Sequence, residues 1–218
     1  MNKPLISVII PVYNQEKWIA RCIRSLENQT ISREKYELIV INDGSNDGSQ
    51  SVINLFINQI NYINNKKNSG LPSALNQGIK LSKSKYIVRV DADDYVNENF
   101  LFLLYEFLEQ NKYMDSVACD YLLVNDGEKV LDRMNCLVDP IACGIMFQAS
   151  HLFEIGLYDE DFKLNEEKEL RFRYEKKYKV HRLELPLYRY RRHEKNITND
   201  TASLDMHEKK FKSKHGIE

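Results

Sequence analysis

The apolar residues in the first half of the chain form short continuous runs, and these runs alternate with segments of helical spacing. Residues 5–12 (LISVIIPV) and 36–41 (YELIVI) are rich in β-branched side chains, which is typical of strands covered on both faces. In residues 19–26 the apolar positions recur at i, i+3, i+4 and i+7, as on one face of an amphipathic helix. Further strands are predicted at residues 62–64 and 86–90. This alternation predicts parallel strands joined by right-handed crossovers.

The second half of the chain has a different pattern. Residues 116–124 and 129–134 flank the turn sequence Asn-Asp-Gly, which predicts an antiparallel hairpin. Residues 166–178 are charged and have helical spacing, and residues 180–192 are extended and rich in aromatic side chains. The tail after residue 200 is predicted to be helical, lysine-rich and weakly anchored.

Composition and charge exclude several classes of function. The chain has 218 residues, of which 43% are hydrophobic and 29% charged, as in ordinary soluble domains. Its formal net charge of -1 gives no overall attraction to nucleic acid. The four cysteines form no metal-binding spacing and are expected to be reduced structural thiols. No apolar run is long enough for a signal peptide or a membrane span, so we expect a cytoplasmic protein whose only membrane contact would be peripheral, at the inner face.

Three carboxylates directly follow the fourth predicted strand. Asp91, Asp93 and Asp94 belong to the segment Asp-Ala-Asp-Asp, and ligands of open α/β sheets bind beyond the carboxyl ends of the strands. Packed together, these carboxylates repel one another unless a cation compensates their charge. Such oxygen-rich sites suit Mg²⁺ or Mn²⁺ shared with substrate phosphates. The alternative is an ordinary strand-to-helix turn in which Asp94 or Asn97 caps the next helix.

Turn-forming segments follow the other predicted strands as well. Asp43 lies in the second of these turns, residues 42–48 (NDGSNDG), where its carboxylate could accept hydrogen bonds from a base or a ribose. The alternative for this segment, taken alone, is an ordinary turn followed by a helix cap without a binding role. Residues 11–14 (PVYN) and 68–70 (NSG) occupy the same place after the first and third strands. In a parallel sheet these turns gather along one edge, which predicts a binding crevice.

Taken in order, these segments resemble the motifs of family 2 glycosyltransferases with the GT-A fold, from about residue 4 to about residue 198. PLISVIIPVYN is similar to the family's opening strand, VINDGSNDGS to its DDGSxDGS turn, NSGLPSALNQGI to NxGxxxARNxGI, and VRVDADDY to its DxD segment. Later, CGIMFQASHLFEIGLYDEDF resembles the acceptor-side segment, and NEEKELRFRY stands where an ED pair followed by a helix is usual.

The resemblance implies an α/β fold of the GT-A type. A Rossmann-like, nucleotide-binding mixed sheet flanked by helices would carry a smaller antiparallel part on the acceptor side. One domain would span residues 1–200, with a nucleotide-binding half at residues 1–95 and an acceptor-binding half at residues 96–200. Residues 201–218 would form the C-terminal helical tail.

The resemblance also implies roles for individual residues. Asp43 would face the base, and Glu167, the second residue of the ED pair, would be the catalytic general base. Asp93 would be the main ligand of Mn²⁺ or Mg²⁺, with Asp94 and His193 completing the metal site. The nucleotide-binding set that the resemblance implies is Pro11, Val12, Tyr13, Asp43, Asn68, Gly70, Asp91 and Ala92.

The implied function is that of an inverting glycosyltransferase. It would move a sugar from a nucleotide-diphosphate donor, expected to be a UDP-sugar, to a hydroxyl of a saccharide or lipid-linked saccharide acceptor. The family's single displacement forms no covalent enzyme intermediate, and nucleic acid is not an expected partner. The pathway would be surface polysaccharide or lipo-oligosaccharide synthesis.

Two other classes of function stay open on the residues. One is a non-catalytic subunit that binds a nucleotide sugar. The other is a nucleotidyltransferase, which more often carries a glycine-rich basic loop after the first strand, where this chain has PVYNQEKW.

The sequence departs from the family pattern at three positions. Asn42 replaces the first aspartate of the usual pair, and Leu75 stands where an arginine near the base is common. Glu167 is one methylene longer than the usual aspartate, so it would sit further back.

Local alternatives remain for several of these residues. Glu166 and Glu167 are also explained as the exposed start of a helix, where the helix dipole favours acids, and His193 as an ordinary surface histidine. Residues 171–195 include ten basic residues, which indicate either a solvated face or a surface for a phosphate-bearing acceptor, such as a polyprenyl-linked intermediate.

Overall fold

The protein is an α/β structure in which one mixed sheet carries an apolar core on each face. The computed structural model describes residues 3–162, 164–194 and 201–216. Within these ranges nine strands form a single sheet. In the same part of the chain, no helix combines the length and the apolar character that crossing a lipid bilayer requires. The predicted α/β class is confirmed.

Four parallel strands form the front of the sheet. β1 (Ile6–Val12) lies between β2 (Tyr36–Asp43) and β4 (Tyr86–Arg89), and β3 (Asn61–Asn65) lies beside β2. All three pairings are parallel, which confirms the prediction from the alternating pattern. Every residue of β1 is buried, as expected for a strand that is covered on both faces.

Short helices connect these strands. They are α1 (Ile19–Glu27), α2 (Ser49–Asn54) and α3 (Leu71–Leu81), with a 3₁₀ turn at Arg33–Lys35 before β2. α3 packs very closely on the sheet at Gly78, since a Cβ atom added there would lie 2.7 Å from Cγ2 of Ile9 and 2.8 Å from Cδ1 of Ile41. Glycine at this position therefore sets the distance between the helix and the sheet.

The rear half of the chain extends the same sheet. Its elements are β5 (Tyr95–Val96), α4 (Phe100–Gln110), β6 (Ser116–Val124), β7 (Val130–Met134), β8 (Ile145–Gln148), α5 (Ala149–Glu154), α6 (Glu166–Tyr174), β9 (Val180–Arg191) and α7 (Thr201–His215). The strand order is β3-β2-β1-β4-β8-β6-β9-β5, and β7 pairs with β6. β6 and β7 form the predicted hairpin, whereas the parallel pairing of β6 with β9 was not predicted.

The two apolar cores fix the edge of the sheet from both sides. Along β1, Ile6, Val8 and Ile10 belong to the core shared with α1, and Ile9 belongs to the core shared with α3. This is the period of two that a strand imposes on its side chains. Because each buried aliphatic side chain contributes about 1.5–3 kcal/mol, the strand ends that carry the turns have little freedom to move.

The C-terminal helix α7 packs against α6, so the prediction of a weakly anchored tail is wrong. Phe211 is 4% exposed, and its ring meets that of Phe172 edge-to-face with centroids 5.3 Å apart. Nζ of Lys168 lies 2.6 Å from a carboxylate oxygen of Glu208. The packing of Phe211 could not be predicted from the sequence of this segment alone, because it depends on Phe172 of α6. The predicted boundary at residue 200 lies outside the described residues.

Candidate functional site

A cleft of about 1080 Å³ opens at the carboxyl ends of β1, β2 and β4. It lies between the turns that follow these strands and the first residues of α6. The predicted gathering of the turns along one edge is therefore confirmed. Among the residues that line the cleft are ten of the predicted site residues: Pro11, Val12, Tyr13, Asp43, Asn68, Gly70, Asp91, Ala92, Asp93 and Glu167.

Asp43 organises the front wall of the cleft. Its carboxylate accepts hydrogen bonds from the backbone N–H of Ser69 at 3.0 Å and of Gly70 at 2.9 Å. The hydroxyl of Ser69 and the side-chain amide of Asn65 also donate to it, at 2.6 and 2.9 Å. The side chain is buried, at 3% exposure. Asp43 therefore fixes the turn after β3 against the end of β2.

The turn after β2 approaches the turn after β3 so closely that only glycine fits. Gly44 has φ +72°, and a Cβ atom there would lie 2.5 Å from the carbonyl carbon of Lys67 and 2.6 Å from the nitrogen of Asn68. The turn after β1 is joined to the same region, because the N–H of Asn14 donates to Oγ of Ser45 at 3.0 Å. The front wall is one hydrogen-bonded unit.

The structure accounts for one departure from the family pattern. The side-chain amide of Asn42 donates to Oδ1 of Asn64 at 3.0 Å, which an aspartate carboxylate could not do. Leu75, at the second departure, is 1% exposed in the core between α3 and the sheet. A small cavity of about 10 Å³ is lined by both Leu75 and Arg89, so the two residues border the same region of the core.

Arg89 connects the front of the cleft with its rear. Its guanidinium contacts both oxygens of Asp91, with Nε–Oδ1 2.6 Å and Nη2–Oδ2 3.1 Å, and Nη1 lies 2.9 Å from Oε1 of Glu166. The side chain is only 8% exposed. Burial lowers the pKa of Arg89, but Asp91 and Glu166 raise it by more, so the guanidinium stays charged. Asp91 and Glu166 are far apart in the sequence, and the guanidinium of Arg89 holds both of them.

Asp93 and His193 lie together at the rim of the cleft. Nε2 of His193 is 2.9 Å from Oδ2 of Asp93. The imidazole stacks on the ring of Trp18, with centroids 4.2 Å apart. The His193 side chain is 4% exposed and that of Asp93 is 17% exposed. His193 is therefore a packed neighbour of Asp93, and the alternative of an ordinary surface histidine does not fit the structure.

Asp94 lies below the cleft wall at 2% exposure. Its Oδ1 accepts the backbone N–H of Arg191 at 2.7 Å, and its Oδ2 accepts the Tyr188 hydroxyl at 2.7 Å. Burial, and then the charges of Asp93 and Asp91, raise the pKa of Asp94 well above its usual value. Asp94 thus ties the DxD turn to β9 instead of capping α4, and its predicted role in metal binding stays a prediction.

The donor atoms at this edge fit a divalent cation. Asp93 offers a carboxylate at the cleft with the imidazole of His193 in contact, and carboxylate oxygens suit Mg²⁺ and Mn²⁺. Ligand atoms of Asp91, Asp94 and Cys143 also lie within 4.8 Å of one another. Burial raises the pKa of the Cys143 thiol well above its usual value, and Mg²⁺ and Mn²⁺ prefer the carboxylate oxygens of this group.

Glu167 stands on the rear wall and has no hydrogen bond to Oε1 among the described residues, although that atom is buried. Burial raises the pKa of Glu167 to about 7, with Arg171 acting in the opposite direction. Asn165 enters the left-handed region with φ +60°, which asparagine tolerates, and α6 begins directly after it. Glu166 is buried at 7% exposure, so the alternative of an exposed helix start is wrong.

A comparison with models of known protein families finds a match to Glycosyl transferase family 2 over residues 7–135, which is more than half of the chain. The chain belongs to glycosyl transferase family 2. The matched residues include β2 to β7, all of β1 except Ile6, and every front turn of the cleft. The resemblance drawn from the motifs is confirmed.

Relatives of this family 2 chain include enzymes named for transfer to poly(ribitol-phosphate). The β-glucosyltransferase of Bacillus spizizenii is 40% identical over 111 residues, which is 49% of this chain and 18% of that protein. The β-N-acetylglucosaminyltransferase TarP of Staphylococcus aureus is 38% identical over 128 residues, which is 57% of this chain and 39% of that protein. The chain therefore spans less than half the length of either relative.

Solved structures of other glycosyltransferases have the same fold. Staphylococcus aureus TarS 1–349 in complex with UDP-GlcNAc superposes with a TM-score of 0.78 at 20% identity, covering 90% of this chain and 61% of that one. The mannosyltransferase PcManGT of Pyrobaculum calidifontis, in complex with GDP-Man and Mn²⁺, superposes with a TM-score of 0.77 at 16% identity, covering 99% and 65%. The likeness confirms the GT-A fold, and the ligands are those of the neighbours.

The structure adds cleft residues to the family motifs. Gln15, Trp18 and Arg171 each line the cleft and have a buried polar atom without a hydrogen-bond partner in the described part of the chain. Arg89 had a signal in the sequence, because a charged residue interrupts the apolar strand YIVRV. The others had none, since their meaning depends on contacts between distant segments.

Proposed function

We propose that this family 2 chain carries the catalytic site of an inverting glycosyltransferase that uses a UDP-sugar. The UDP-GlcNAc complex of TarS supports the choice of donor. The acceptor would be a hydroxyl of a saccharide or lipid-linked saccharide in a surface polymer. The relatives named for poly(ribitol-phosphate) support that class of acceptor.

The observation that carries this proposal is the state of Glu167. One of its oxygens is buried, lacks a hydrogen-bond donor among the described residues and belongs to the wall of the cleft that also contains Asp43 and Asp93. Its pKa of about 7 is suited to a group that must exchange a proton near neutral pH. A carboxylate in this state contributes little to the stability of the fold and is available for proton transfer.

The front wall would hold the nucleoside. Tyr13 is 44% exposed at the cleft and offers a ring face, and Pro11 and Val12 shape the wall beside it. Asp43 keeps the turn at Asn68–Gly70 in place and lines the cleft where the base would lie. Because these contacts exist before any ligand binds, little ordering is left for the binding step.

A divalent cation, Mn²⁺ or Mg²⁺, would be held by Asp93 with His193, and Asp91 and Asp94 lie close behind. When bound, it would stabilise the negative charge that develops on the departing diphosphate. The Mn²⁺ in the PcManGT complex supports this choice of ion.

In the transfer step, Glu167 would take the proton of the acceptor hydroxyl while the oxygen attacks the anomeric carbon. The bond between that carbon and the diphosphate oxygen breaks on the opposite side, and the nucleoside diphosphate leaves with the bonding electron pair. The product is a glycoside of inverted configuration, and the proton remains on Glu167 until solvent removes it.

The proposal includes an organisation and a place. One transferase domain would cover residues 1–200, with the nucleotide side in residues 1–95 and the acceptor side in residues 96–200. It would act in the cytoplasm, with peripheral contact at the inner face of the membrane where lipid-linked acceptors are met.

The test is hydrolysis and transfer with UDP-, GDP- and dTDP-sugars in Mn²⁺. We expect turnover with UDP-sugars, and we expect Glu167→Gln to bind UDP and lose turnover. Glu184→Gln is the matched control, because the Glu184 side chain is 74% exposed on β9. Binding without turnover in the unmodified protein would support the non-catalytic subunit, and pyrophosphate release from a nucleoside triphosphate and a sugar phosphate would support the nucleotidyltransferase.

A further inference from the structure

The rear wall of the cleft contains a guanidinium that is only partly used. Arg171 is one helical turn after Glu167 on α6, so the two side chains lie on the same face, and both line the cleft. Nε of Arg171 lies 2.7 Å from Oε1 of Glu175. Nη1 is buried and has no hydrogen-bond partner in the described residues. The side chain is 15% exposed, so solvent reaches little of it.

This arrangement leaves donors for a ligand. A guanidinium is always charged and presents five N–H donors in a planar fork that matches carboxylate and phosphate oxygens. Glu175 contacts the Nε edge and is itself 47% exposed, so water screens it. Arg171 lines the cleft, and its buried Nη1 donor has no acceptor in the described residues, which is unfavourable until an acceptor arrives.

The surroundings of Arg171 suit a sugar that bears an anion. Phe172 and Phe211 line the same wall and form an edge-to-face pair that offers an apolar surface. Lys168 adds a second positive charge to the lining, although it also contacts Glu208. The acids of this wall are Glu166, which Arg89 holds, and Glu175 and Glu167 on either side of Arg171 along α6.

We propose that Arg171 binds an anionic group, phosphate or carboxylate, carried by the acceptor saccharide close to its reacting hydroxyl. The assignment rests on the proposed transferase function and names the class of acceptor. An anion at Arg171 lies one helical turn from Glu167, so it orients the acceptor hydroxyl toward the base. Arg171 would then determine acceptor specificity without taking part in the chemical step.

The test uses three hexoses that differ only at C6: glucose 6-phosphate, glucuronate and glucose. Binding of each is measured by titration calorimetry and ligand-observed NMR to the full chain saturated with UDP and Mn²⁺. We expect Arg171→Gln to lower the affinity for the preferred anionic hexose at least about tenfold, because the charge-assisted hydrogen bonds of the guanidinium are lost. The affinity for glucose should change less than about twofold. Comparison of glucose 6-phosphate with glucuronate shows whether Arg171 prefers a phosphate or a carboxylate. Arg171→Lys keeps the charge but not the planar guanidinium. Its affinity for the anionic hexose should lie between those of the unmodified protein and Arg171→Gln.

Lys177→Gln is the matched control, since the Lys177 side chain is 56% exposed just after α6, pairs with Glu154 away from the cleft, and its removal changes the net charge equally. The assignment would be overturned if this control lost as much affinity for the anionic hexose as Arg171→Gln does, or if Arg171→Gln lost as much affinity for glucose as for the anionic hexose. Tight binding of inorganic phosphate alone would also overturn it. Loss of UDP affinity in Arg171→Gln would also overturn it, because the anion would then be the donor's. Absence of UDP binding in the unmodified protein contradicts the proposed function itself, whereas UDP binding with no preference for anionic hexoses contradicts only the role of Arg171.

Discussion

The front and the rear of the cleft each contain a carboxylate, and the two are held in opposite ways. Asp43 accepts four hydrogen bonds from Asn65, Ser69 and Gly70, so its charge is compensated before any ligand arrives. Glu167 has a buried oxygen without a donor in the described part of the chain, and its pKa is raised to about 7. One acid is built into the structure, and the other is kept available.

This difference separates binding from chemistry. A group that must position a ligand benefits from being fixed in advance, because no ordering remains to be done when the ligand binds. A group that must exchange a proton benefits from a pKa near the working pH, which burial without hydrogen bonds provides. The replacement of each acid by its amide should therefore have different consequences at the two ends of the cleft.

The largest expected effect is on turnover at the rear. Glu167→Gln should lower the rate of transfer by about 10²–10⁴-fold, because the amide cannot take a proton. Glu167→Asp, the family's usual residue, should retain part of the rate, since it restores a base one methylene shorter. Single-turnover kinetics with a UDP-sugar measure both. A rate within about threefold of the unmodified enzyme in the amide variant would remove Glu167 from the mechanism.

The next effect tests the connection between front and rear. Arg89→Met should lower the free energy of unfolding by about 3–5 kcal/mol, because Asp91 and Glu166 would be left in a buried site without their cation. Arg21→Met is the control, since Arg21 forms an ion pair with Glu128 in which both side chains are more than a third exposed. That change should cost about 0–1 kcal/mol in urea unfolding. Equal losses would show that Arg89 is not a structural cation.

A smaller loss of stability is expected at the front. Asp43→Asn removes a charged acceptor from four hydrogen bonds and should cost about 1–3 kcal/mol in urea unfolding. Asp132→Asn, on the exposed strand β7, is the matched control and should change stability by less than about 0.5 kcal/mol. A neutral effect of Asp43→Asn would mean that the front turns hold their shape without this carboxylate.

The smallest effect has the opposite sign and depends on pH. Because the folded state raises the pKa of Glu167 from 4.5 to about 7, ionisation of this group opposes folding as the pH rises through that interval. At pH 8, Glu167→Gln should be more stable than the unmodified protein by about 1–2 kcal/mol, a value reduced for partial exposure, and the two should be equal below pH 4.5. Transfer activity should rise with pH through about 7.

A stability difference at Glu167 that does not vary with pH would contradict this interpretation, as would a pH profile of transfer without a rising limb near 7.

Local patterns in the sequence predicted the front of the molecule because each strand there is followed at once by its turn. The alternation of residues 5–12 and 36–41 with helices led to the parallel sheet, and the parallel sheet to the cleft. The rear was less predictable. The pairing of β6 with β9 and the packing of Phe211 on Phe172 join segments that are far apart in the chain.

The same limit applies to the site. Asp93, Asp43 and Glu167 could be named from motifs, because their positions follow strand ends or a helix start. The contact of Arg89 with Asp91 and Glu166 could not be named, since one partner is 77 residues away. Nor could the burial of Asp94 against Tyr188 and Arg191 be predicted, since three adjacent carboxylates in the sequence do not show which of them turns into the core.

The affinity for UDP in Mn²⁺, measured by titration calorimetry on matched acid-to-amide variants, tests most directly whether the front binds the donor and the rear does the chemistry. We predict that Asp43→Asn and Asp93→Asn each weaken UDP by about tenfold or more, through loss of the fixed front wall and of a charged cation ligand. The affinity of Glu167→Gln for UDP should stay within about twofold of that of the unmodified protein, while its turnover is lost. Weakening of UDP by Glu167→Gln to the same extent as by Asp43→Asn, or unchanged affinity in all three variants, would contradict the account.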